Sequence, residues 1–264
     1  MRTFAVLGAG SWGTALALVL ARNGHQVRLW GHDPEAIRRM AAERVNPRYL
    51  PDFPLAAGIT PEADLETAVQ GVEAALIAVP SAAFAGLVAR LAHCLADPVP
   101  VVWATKGLEA AGGGLLHECA AAALPGHPLA VLSGPSFAGE VAAGLPTAVA
   151  LASASQRCAE TLATAFHDER FRVYTSDDVI GVELGGAVKN VLAIATGIAD
   201  GLGFGANARA GLITRGLAEV RRLGVRMGAR DATLTGLAGM GDLILTCTDD
   251  QSRNRRMGLA LGQG

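Results

Sequence analysis

Short apolar runs alternate with longer alanine- and leucine-rich stretches over residues 1–178 of this 264-residue chain. Most of these runs end in Gly, Pro or Ser, which favour turns. Strands buried on both faces of a parallel sheet read as continuous apolar runs, and helices usually connect them. The pattern predicts an α/β domain with a doubly wound, mostly parallel sheet. Its predicted strands are Thr3–Leu7, Gln26–Trp30, Ala74–Val79, Val99–Ala104, Leu129–Leu132, Thr147–Ala152 and Phe171–Tyr174.

A second, all-α domain is predicted over residues 179–264, because the strand pattern stops there and helical periodicity continues. Since a new helix begins at Ser252, close to the last residue of the sequence, we expect the C-terminal part of this domain to be missing. The other predicted helices are Val179–Leu202, Ala208–Leu223 and Asp231–Gly239.

The composition excludes several classes of protein. With 51% apolar and 17% charged residues, the chain can bury a large core, so disorder is excluded as its main state. The net charge of −2 gives no overall field that favours nucleic acid or an acidic membrane surface. Glycines interrupt the N-terminal apolar segment, and no stretch approaches the roughly 20 apolar residues that span a bilayer. We predict no nucleic-acid partner and no stable membrane insertion.

The four cysteines are isolated in the sequence, at Cys94, Cys119, Cys158 and Cys247. Without a C-x-x-C pair or a paired histidine spacing, they predict neither a disulfide framework nor a zinc site. A reducing compartment suits such a chain, and we expect a cytoplasmic protein with no bound metal.

The first predicted strand runs into a G-x-G-x-x-G pattern, Gly8-Ala9-Gly10-Ser11-Trp12-Gly13, which opens an apolar helix. In a dinucleotide-binding fold, Gly8 makes the tight turn, Gly10 lets the backbone approach a pyrophosphate, and Gly13 allows close helix–strand packing. The N-terminus of the helix adds N–H groups and a positive dipole end. The motif in this context predicts a dinucleotide site on a Rossmann-type domain.

The second strand does not end in the acidic residue that usually holds the ribose hydroxyls of NAD. Gly31-His32-Asp33 stands there instead, and Asp33 precedes Pro34, which fits the N-cap of the next helix. His32 is left at the strand tip, where an imidazole can hydrogen-bond or, when protonated, pair with a 2′-phosphate. We predict that NADP is accepted and NADPH favoured over NADH; a solvated loop histidine is the alternative.

Three loops follow predicted strands, at Val79–Ser81, Ala104–Gly107 and Leu132–Ser136. In an open parallel sheet, ligands bind outside the carboxyl ends of the strands, so these loops are expected to surround one crevice. Lys106 in the second loop is either a ligand contact or a surface charge. Ser136 in the third is either a site residue or a helix cap.

The long predicted helix carries Lys189 in apolar surroundings. Gly185 and Gly186 stand four and three residues before it, so the helix surface beside the lysine is bare backbone with room for a ligand. Helical glycines and a buried ammonium are both costly, and a purely structural role has to explain both. We predict a catalytic lysine; the alternative is a lysine that extends to the surface.

Ser252 is predicted to cap the final helix, which places Arg253 and Asn254 in its first turn. That turn favours an anion through its N–H groups and the helix dipole, and arginine adds a bidentate fork suited to phosphate. For Arg255 and Arg256 we expect a solvated basic helix face.

Together these motifs resemble the NAD(P)-dependent glycerol-3-phosphate dehydrogenases, particularly the bacterial form. The resemblance implies reversible reduction of dihydroxyacetone phosphate to sn-glycerol 3-phosphate, the backbone of phospholipids, with NAD or NADP as cofactor. A homodimer is expected by the same analogy. The segments that carry the resemblance are residues 8–15, 29–34, 103–108, 133–138, 184–190, 203–207 and 252–256.

The resemblance also implies roles for individual positions. The residue matching Lys189 is the family's proton donor or acceptor, and the residue matching Lys106 contacts both cofactor and substrate. The positions that bind substrate match Gly134, Ser136, Asp242, Ser252, Arg253 and Asn254. The positions that touch the dinucleotide match Ser11, Trp12, His32, Ala138 and Arg253.

Two alternatives stay open. Dehydrogenases of the 3-hydroxyacid or 6-phosphogluconate type also have a Rossmann domain followed by helices, but they place the partner asparagine one helical turn after the lysine, whereas Asn190 is adjacent to Lys189. A non-catalytic NADP-binding module is the other alternative, because we expect the final helices to be missing.

Overall fold

The structure, a computed structural model, describes residues 1–96 and 98–264. It divides into two compact units. The first comprises Met1–Leu132 and Ser136–Asp177, and the second comprises Ser133–Pro135 and Asp178–Gly264.

The first unit is built from alternating strands and helices. Its strands are β1 (Thr3–Leu7), β2 (Gln26–Trp30), β3 (Val45–Asn46), β4 (Leu50–Pro54), β5 (Ile59–Glu62), β6 (Ala74–Ile77), β7 (Val101–Trp103), β8 (Leu129–Ser133), β9 (Thr147–Ala152) and β10 (Phe171–Ser176). Its helices are α1 (Ser11–Arg22), α2 (Pro34–Glu43), α3 (Leu65–Val69), α4 (Ser81–Cys94), α5 (Leu116–Ala123), α6 (Ala138–Ala143) and α7 (Gln156–Phe166).

Eight of these strands form one sheet in the order β10-β9-β8-β7-β6-β1-β2-β5. The pairs β2–β5, β1–β2, β1–β6, β6–β7, β7–β8 and β9–β10 are parallel. The strand order reverses at β1, because β2 lies on one side of it and β6 on the other. Ligands bind such doubly wound sheets outside the carboxyl ends of the strands at this switch point. The structure confirms the predicted sheet and places its switch point beside the glycine-rich motif.

Three strands in one segment, β3, β4 and β5, are not predicted by the sequence pattern. β3 and β4 form a small antiparallel hairpin, and β5 extends the main sheet beyond β2. The sequences of β4 and β5 are LPDFP and ITPE, without the continuous apolar run that marks a buried parallel strand. Strands at an edge tolerate proline and polar residues, so period and hydropathy do not reveal them.

The core of the first unit lies on the faces of this sheet. Phe4 and Val6 of β1 are fully buried, and α1 is buried over a continuous run from Gly13 to Leu20. That burial explains why α1 is apolar all round instead of amphipathic. The helix is therefore held rigidly behind the glycine-rich loop that precedes it.

The second unit is helical over residues 179–264, which confirms the predicted all-α region. One π-helical turn, Leu237–Gly241, stands directly before a short helix. The α-helices are α8 (Val179–Gly201), α9 (Gly205–Arg226), α10 (Asp231–Leu234), α11 (Asp242–Thr248) and α12 (Arg253–Gln263).

Glycines bring α8 and α12 into backbone contact. A Cβ on Gly197 would lie 2.2 Å from the Arg255 carbonyl oxygen, and a Cβ on Gly258 would lie 2.1 Å from the Ile194 carbonyl oxygen. Gly201 is similarly close to the backbone of α12. The separation of the two helices is therefore set by positions that accept no side chain.

Within the described residues, α8 is the one helix long and apolar enough to cross a membrane, with a mean hydropathy of 1.4 over a window that is half buried. It packs against α9, α11 and α12. A core helix surrounded by other helices has the same composition, so its apolar sequence is accounted for by burial in the second unit.

Candidate active site

The glycine-rich loop has the close contacts that its sequence predicts. Gly8 has a φ of +127°, and a Cβ there would lie 2.5 Å from the carbonyl oxygen of Ala78, just after β6. A Cβ on Gly13 would lie 1.9 Å from the Gly8 carbonyl oxygen. At Gly10, by contrast, no atom of the described residues lies within 4 Å of an ideal Cβ, apart from Gly10 itself and its two chain neighbours. The loop is thus tightly packed at its two ends and open at Gly10.

This open stretch fits the pyrophosphate of a dinucleotide. Gly10 is the N-cap of α1 and no side chain caps the helix, so the N–H groups of its first turn are left for a ligand. The indole Nε1 of Trp12 is buried and has no hydrogen-bond partner among the described residues. Backbone donors, an uncovered glycine and the helix dipole together make the anion site that NAD and NADP require.

Asp33 and His32 take the places predicted for them at the end of β2. The Asp33 carboxylate accepts hydrogen bonds from the N–H groups of Glu35 and Ala36, at 3.0 and 3.2 Å, so it caps α2. The Asp33 carboxylate is therefore engaged as the cap of α2. His32 is exposed beside it, and the imidazole remains the side chain at the strand tip that can meet a ribose or a 2′-phosphate.

The loops after β6 and β7 are held together. The Thr105 hydroxyl donates a hydrogen bond of 2.8 Å to the Val79 carbonyl oxygen. Gly107 has a φ of +142°, and a Cβ there would lie 2.8 Å from the Ser81 Oγ atom. Lys106, between Thr105 and Gly107, is half-buried, and both predicted roles, a ligand contact and a surface charge, stay open.

The segment after β8 corrects one alternative. The N-cap of α6 is Phe137, so Ser136 is not a helix cap. Ala138 begins α6 and, like Trp12, packs against the core of the first unit. Gly134 has a φ of +151°, a conformation that favours glycine.

Lys189 is buried in an ion pair. Its side-chain ammonium donates hydrogen bonds to the Oδ1 atom of Asp242 and, at 3.0 Å, to the hydroxyl of Thr246. Lys189 is 9% exposed and Asp242 is fully buried, so the alternative in which the lysine extends to the surface is wrong. Two partners on α11 thus fix the direction of the Lys189 ammonium.

The prediction that the helix surface beside Gly185 has room for a ligand is wrong. A Cβ on Gly185 would lie 2.5 Å from the Ala238 carbonyl oxygen, so the π-helical turn occupies that face of α8. The glycine is needed for backbone packing. Because α11 follows the π-helical turn directly, this close approach is what brings Asp242 beside Lys189.

Thr246 is a partner of Lys189 that the sequence motifs did not indicate. It stands four residues after Asp242, one turn later on α11, and its hydroxyl also donates to the Asp242 carbonyl oxygen at 2.7 Å. The spacing of four residues between Asp242 and Thr246 is the sequence signal that could have indicated Thr246. The composition is a signal for the lysine itself, because the 22 basic residues include only two lysines, Lys106 and Lys189.

The first turn of α12 lies beside the lysine as well. Ser252 caps the helix, as predicted, by accepting a hydrogen bond of 3.2 Å from the Arg255 N–H. The Asn254 side chain donates to Oδ1 of Asn190, the neighbour of Lys189, at 2.7 Å. Arg253 is exposed. The exposed Arg253 side chain therefore stands on a helical turn that is hydrogen-bonded to α8.

Arg255 contradicts the predicted solvated face, whereas Arg256 is exposed as expected. Arg255 is 7% exposed and pairs with Asp250 and, at 2.7 Å, with Asp200, which Arg209 also contacts. Burial alone would raise the pKa of Asp200, but hydrogen bonds from Arg209 and Arg255 outweigh it and lower that pKa. The Arg255 side chain is buried because α12 approaches α8 so closely.

Comparisons with known proteins agree with this geometry. The sequence pattern of the "NAD-dependent glycerol-3-phosphate dehydrogenase N-terminus" matches residues 3–159, and that of the corresponding C-terminus matches residues 178–264. An NAD(P)+-dependent glycerol-3-phosphate dehydrogenase from Halorhodospira halophila is 63% identical over 263 residues, which are 99% of this chain and 79% of that protein. One from Escherichia coli is 56% identical, over 98% of this chain and 77% of that protein.

Solved structures give the same result. The crystal structure of glycerol-3-phosphate dehydrogenase from Coxiella burnetii matches with a TM-score of 0.97 and 56% identity, covering 100% of this chain and 81% of that chain. The Dunaliella salina enzyme structure matches at 0.93 and 27% identity, covering 99% of this chain and 48% of that chain. With both patterns matched in order across a dinucleotide-type sheet and a helical unit with a buried lysine, the chain belongs to the family of NAD-dependent glycerol-3-phosphate dehydrogenases.

Proposed function

We propose that this chain reduces dihydroxyacetone phosphate reversibly to sn-glycerol 3-phosphate with NADPH or NADH. The observation that carries the proposal is the buried Lys189, whose ammonium is held by Asp242 and Thr246. The family relatives are named for glycerol 3-phosphate as substrate and NAD(P)+ as cofactor. Ketone reduction is the reverse of that dehydrogenation.

The lysine suits the proton chemistry of this reaction. The nicotinamide cofactor, when bound, supplies the hydride. During reduction the ketone oxygen gains negative charge, which a nearby ammonium stabilises and then neutralises by donating its proton. Asp242 balances the charge of the buried Lys189 ammonium, and Thr246 restricts the ammonium to one direction. Lys189 is thus the proposed proton donor to the alcohol and the acceptor in the reverse direction.

The other positions that the family resemblance indicates are proposed to bind ligands. Lys106, Ser136 and Gly134 contact the substrate from the loops after β7 and β8. Asp242, Ser252, Arg253 and Asn254 contact it from α11 and α12. The dinucleotide is bound by Gly8, Gly10, Ser11, Trp12, Gly13, His32, Lys106, Ala138 and Arg253.

The decisive experiment is to mix the purified chain with NADPH and dihydroxyacetone phosphate and follow the nicotinamide absorbance. Loss of absorbance that requires both the ketone and the protein supports the proposal. NADPH binding without turnover would support the non-catalytic module instead. Turnover of 3-hydroxyacids with NADP+, but not of glycerol 3-phosphate, would support the other dehydrogenase class.

Replacing Arg253 by lysine is expected to raise KM for dihydroxyacetone phosphate about tenfold, because lysine keeps the charge but loses the planar fork that binds phosphate at two points. The loss should be smaller for unphosphorylated dihydroxyacetone, which has no phosphate to lose. Steady-state kinetics with both substrates measures the difference. Arg256→Lys, at the other exposed arginine of this turn, is the matched control and should leave both KM values unchanged. Equal losses with the two substrates would remove the phosphate role from Arg253.

Replacing His32 by aspartate is expected to weaken NADPH relative to NADH by about tenfold or more. A carboxylate at the tip of β2 repels the 2′-phosphate of NADPH and accepts hydrogen bonds from the ribose hydroxyls of NADH. Dissociation constants from nicotinamide fluorescence test this. His93→Asp, at an exposed histidine in the last turn of α4, is the control. An unchanged ratio of the two constants would mean that the 2′-phosphate binds elsewhere.

We further propose a cytoplasmic homodimer that supplies the glycerol phosphate backbone of phospholipids. The isolated cysteines are free in the structure, two of them buried, which suits a reducing compartment. Light scattering of the purified chain and cell fractionation test the two statements separately.

A further inference from the structure

The hairpin of β3 and β4 has no role in the site described so far, yet one of its side chains reaches the glycine-rich loop. Asn46 is 2% exposed. Its Nδ2 atom donates hydrogen bonds to the Ala9 carbonyl oxygen at 3.0 Å and to the Thr14 hydroxyl at 2.8 Å. Its Oδ1 atom accepts one from the Tyr49 N–H at 3.3 Å. Because a carbonyl only accepts and an N–H only donates, these backbone partners define which way the amide faces.

The hydrogen bond from Asn46 to the Ala9 carbonyl oxygen fixes the orientation of the Ala9–Gly10 peptide. The Ala9 carbonyl and the Gly10 N–H belong to one planar, trans peptide, in which C=O and N–H point in opposite directions. By holding the carbonyl, Asn46 directs the Gly10 N–H away from the hairpin. No acceptor for that N–H is present among residues 1–96 and 98–264, and Gly10 is the glycine with open space beside it.

The loop needs an external restraint because it has little stiffness of its own. Three glycines in six residues leave many backbone conformations open, and ordering them on ligand binding costs free energy. Asn46 ties the loop, through Ala9, to the first turn of α1, through Thr14. That helix is buried and rigid. The peptide is therefore held before a ligand arrives.

The hairpin is itself anchored. Arg44, which ends α2 with a φ of +53°, donates hydrogen bonds to the carbonyl oxygens of Leu55, Ala56 and Ile59 at 3.3, 2.7 and 2.9 Å. These bonds close the segment that contains β3 and β4 onto β5, an edge strand of the main sheet. The Asn46 amide therefore links the edge of the main sheet to the glycine-rich loop.

We propose that Asn46 is a positioning residue for the dinucleotide site, which sets the Ala9–Gly10 peptide so that the Gly10 N–H is ready for the pyrophosphate of NAD or NADP. The proposal rests on the cofactor use in the proposed function, but it does not depend on the identity of the reduced substrate. It assigns to the hairpin the task of preorganising the cofactor site.

Asn46→Ala is expected to raise the dissociation constant of NADPH about tenfold, the equivalent of roughly one strong hydrogen bond. KM for dihydroxyacetone phosphate at saturating NADPH should stay within about twofold, since the substrate contacts are made elsewhere. Nicotinamide fluorescence with the full chain measures the first quantity and steady-state kinetics the second.

Two variants separate positioning from general stability. Asn23→Ala removes the same amide from the other end of α1, where it donates to the Ala165 carbonyl oxygen at 2.9 Å; it should lower the unfolding midpoint and leave NADPH binding unchanged. Thr14→Val removes one partner of Asn46 but keeps the hydrogen bond to the Ala9 carbonyl oxygen. The dissociation constant of NADPH should therefore rise by less than about threefold. If Asn46→Ala does not fold, Asn46→Asp, which has the same size and keeps the acceptor for Tyr49, takes its place.

The outcomes are distinct. A weakened NADPH complex for the Asn46 variant alone, with unfolding midpoints that fall in both asparagine variants, supports the proposal. If NADPH affinity follows the unfolding midpoint equally in the Asn46 and Asn23 variants, Asn46 is only structural and the proposal is overturned. A wild-type chain that binds NADPH in this Asn46-dependent way but does not turn over dihydroxyacetone phosphate would overturn the proposed function and leave this inference standing.

Discussion

Replacing Lys189 by alanine is expected to lower the turnover number about 10² to 10⁴-fold, the usual contribution of general acid–base catalysis. The variant loses the ammonium that stabilises the ketone oxygen and the proton that completes the alcohol. NADPH affinity should remain nearly unchanged, because the glycine-rich loop and His32 belong to the other unit. Turnover by absorbance and NADPH affinity by fluorescence give the two values independently.

Lys189→Arg sharpens this test. Arginine keeps the positive charge and can pair with Asp242, but its guanidinium does not release a proton at accessible pH. If Lys189 acts by proton transfer, the arginine variant stays as inactive as the alanine variant. Substantial recovery of turnover would reduce its role to charge stabilisation, and near-normal turnover of Lys189→Ala would remove the residue from the mechanism.

Replacing Asp242 by alanine is expected to lower the free energy of unfolding by about 3 to 5 kcal/mol, because it leaves the buried Lys189 ammonium without its counter-charge. Chemical denaturation measures this loss. An exposed ion pair offers a matched control: Arg221 and Asp231 are in contact at 2.6 Å with about half of each side chain exposed. Asp231→Ala should cost much less than Asp242→Ala, since solvent already screens that pair.

A double variant identifies the cause of the Asp242 effect. Lys189→Met combined with Asp242→Leu removes both charges and keeps the volume, so most of the stability should return. Activity should not return, because the proton donor is gone. If the double variant is as unstable as Asp242→Ala, the loss comes from packing of α11 and not from an unpaired ammonium.

Several features follow from the sequence alone because their causes are local. The caps at Asp33 and Ser252 depend on residues within three positions. The glycine-rich loop depends on a strand, a turn and a helix that are consecutive in the chain. The apolar runs of β1 and β9 mark buried parallel strands at the predicted bounds. Each of these features is encoded by residues that are neighbours in the chain, so periodicity and turn chemistry predict it.

Only the tertiary structure decides the neighbours of a side chain that are distant in sequence. Arg255 reads as one of a run of surface arginines until α12 packs on the glycines of α8 and buries it beside Asp200. The bare surface at Gly185 is filled by a π-helical turn more than 50 residues later. Lys189 is 57 residues from Thr246, and Asn46 is 37 residues from Ala9. These partners meet only when the helices and the hairpin pack. How closely the backbones of these elements approach one another determines which buried polar groups can pair, and local propensity does not determine it.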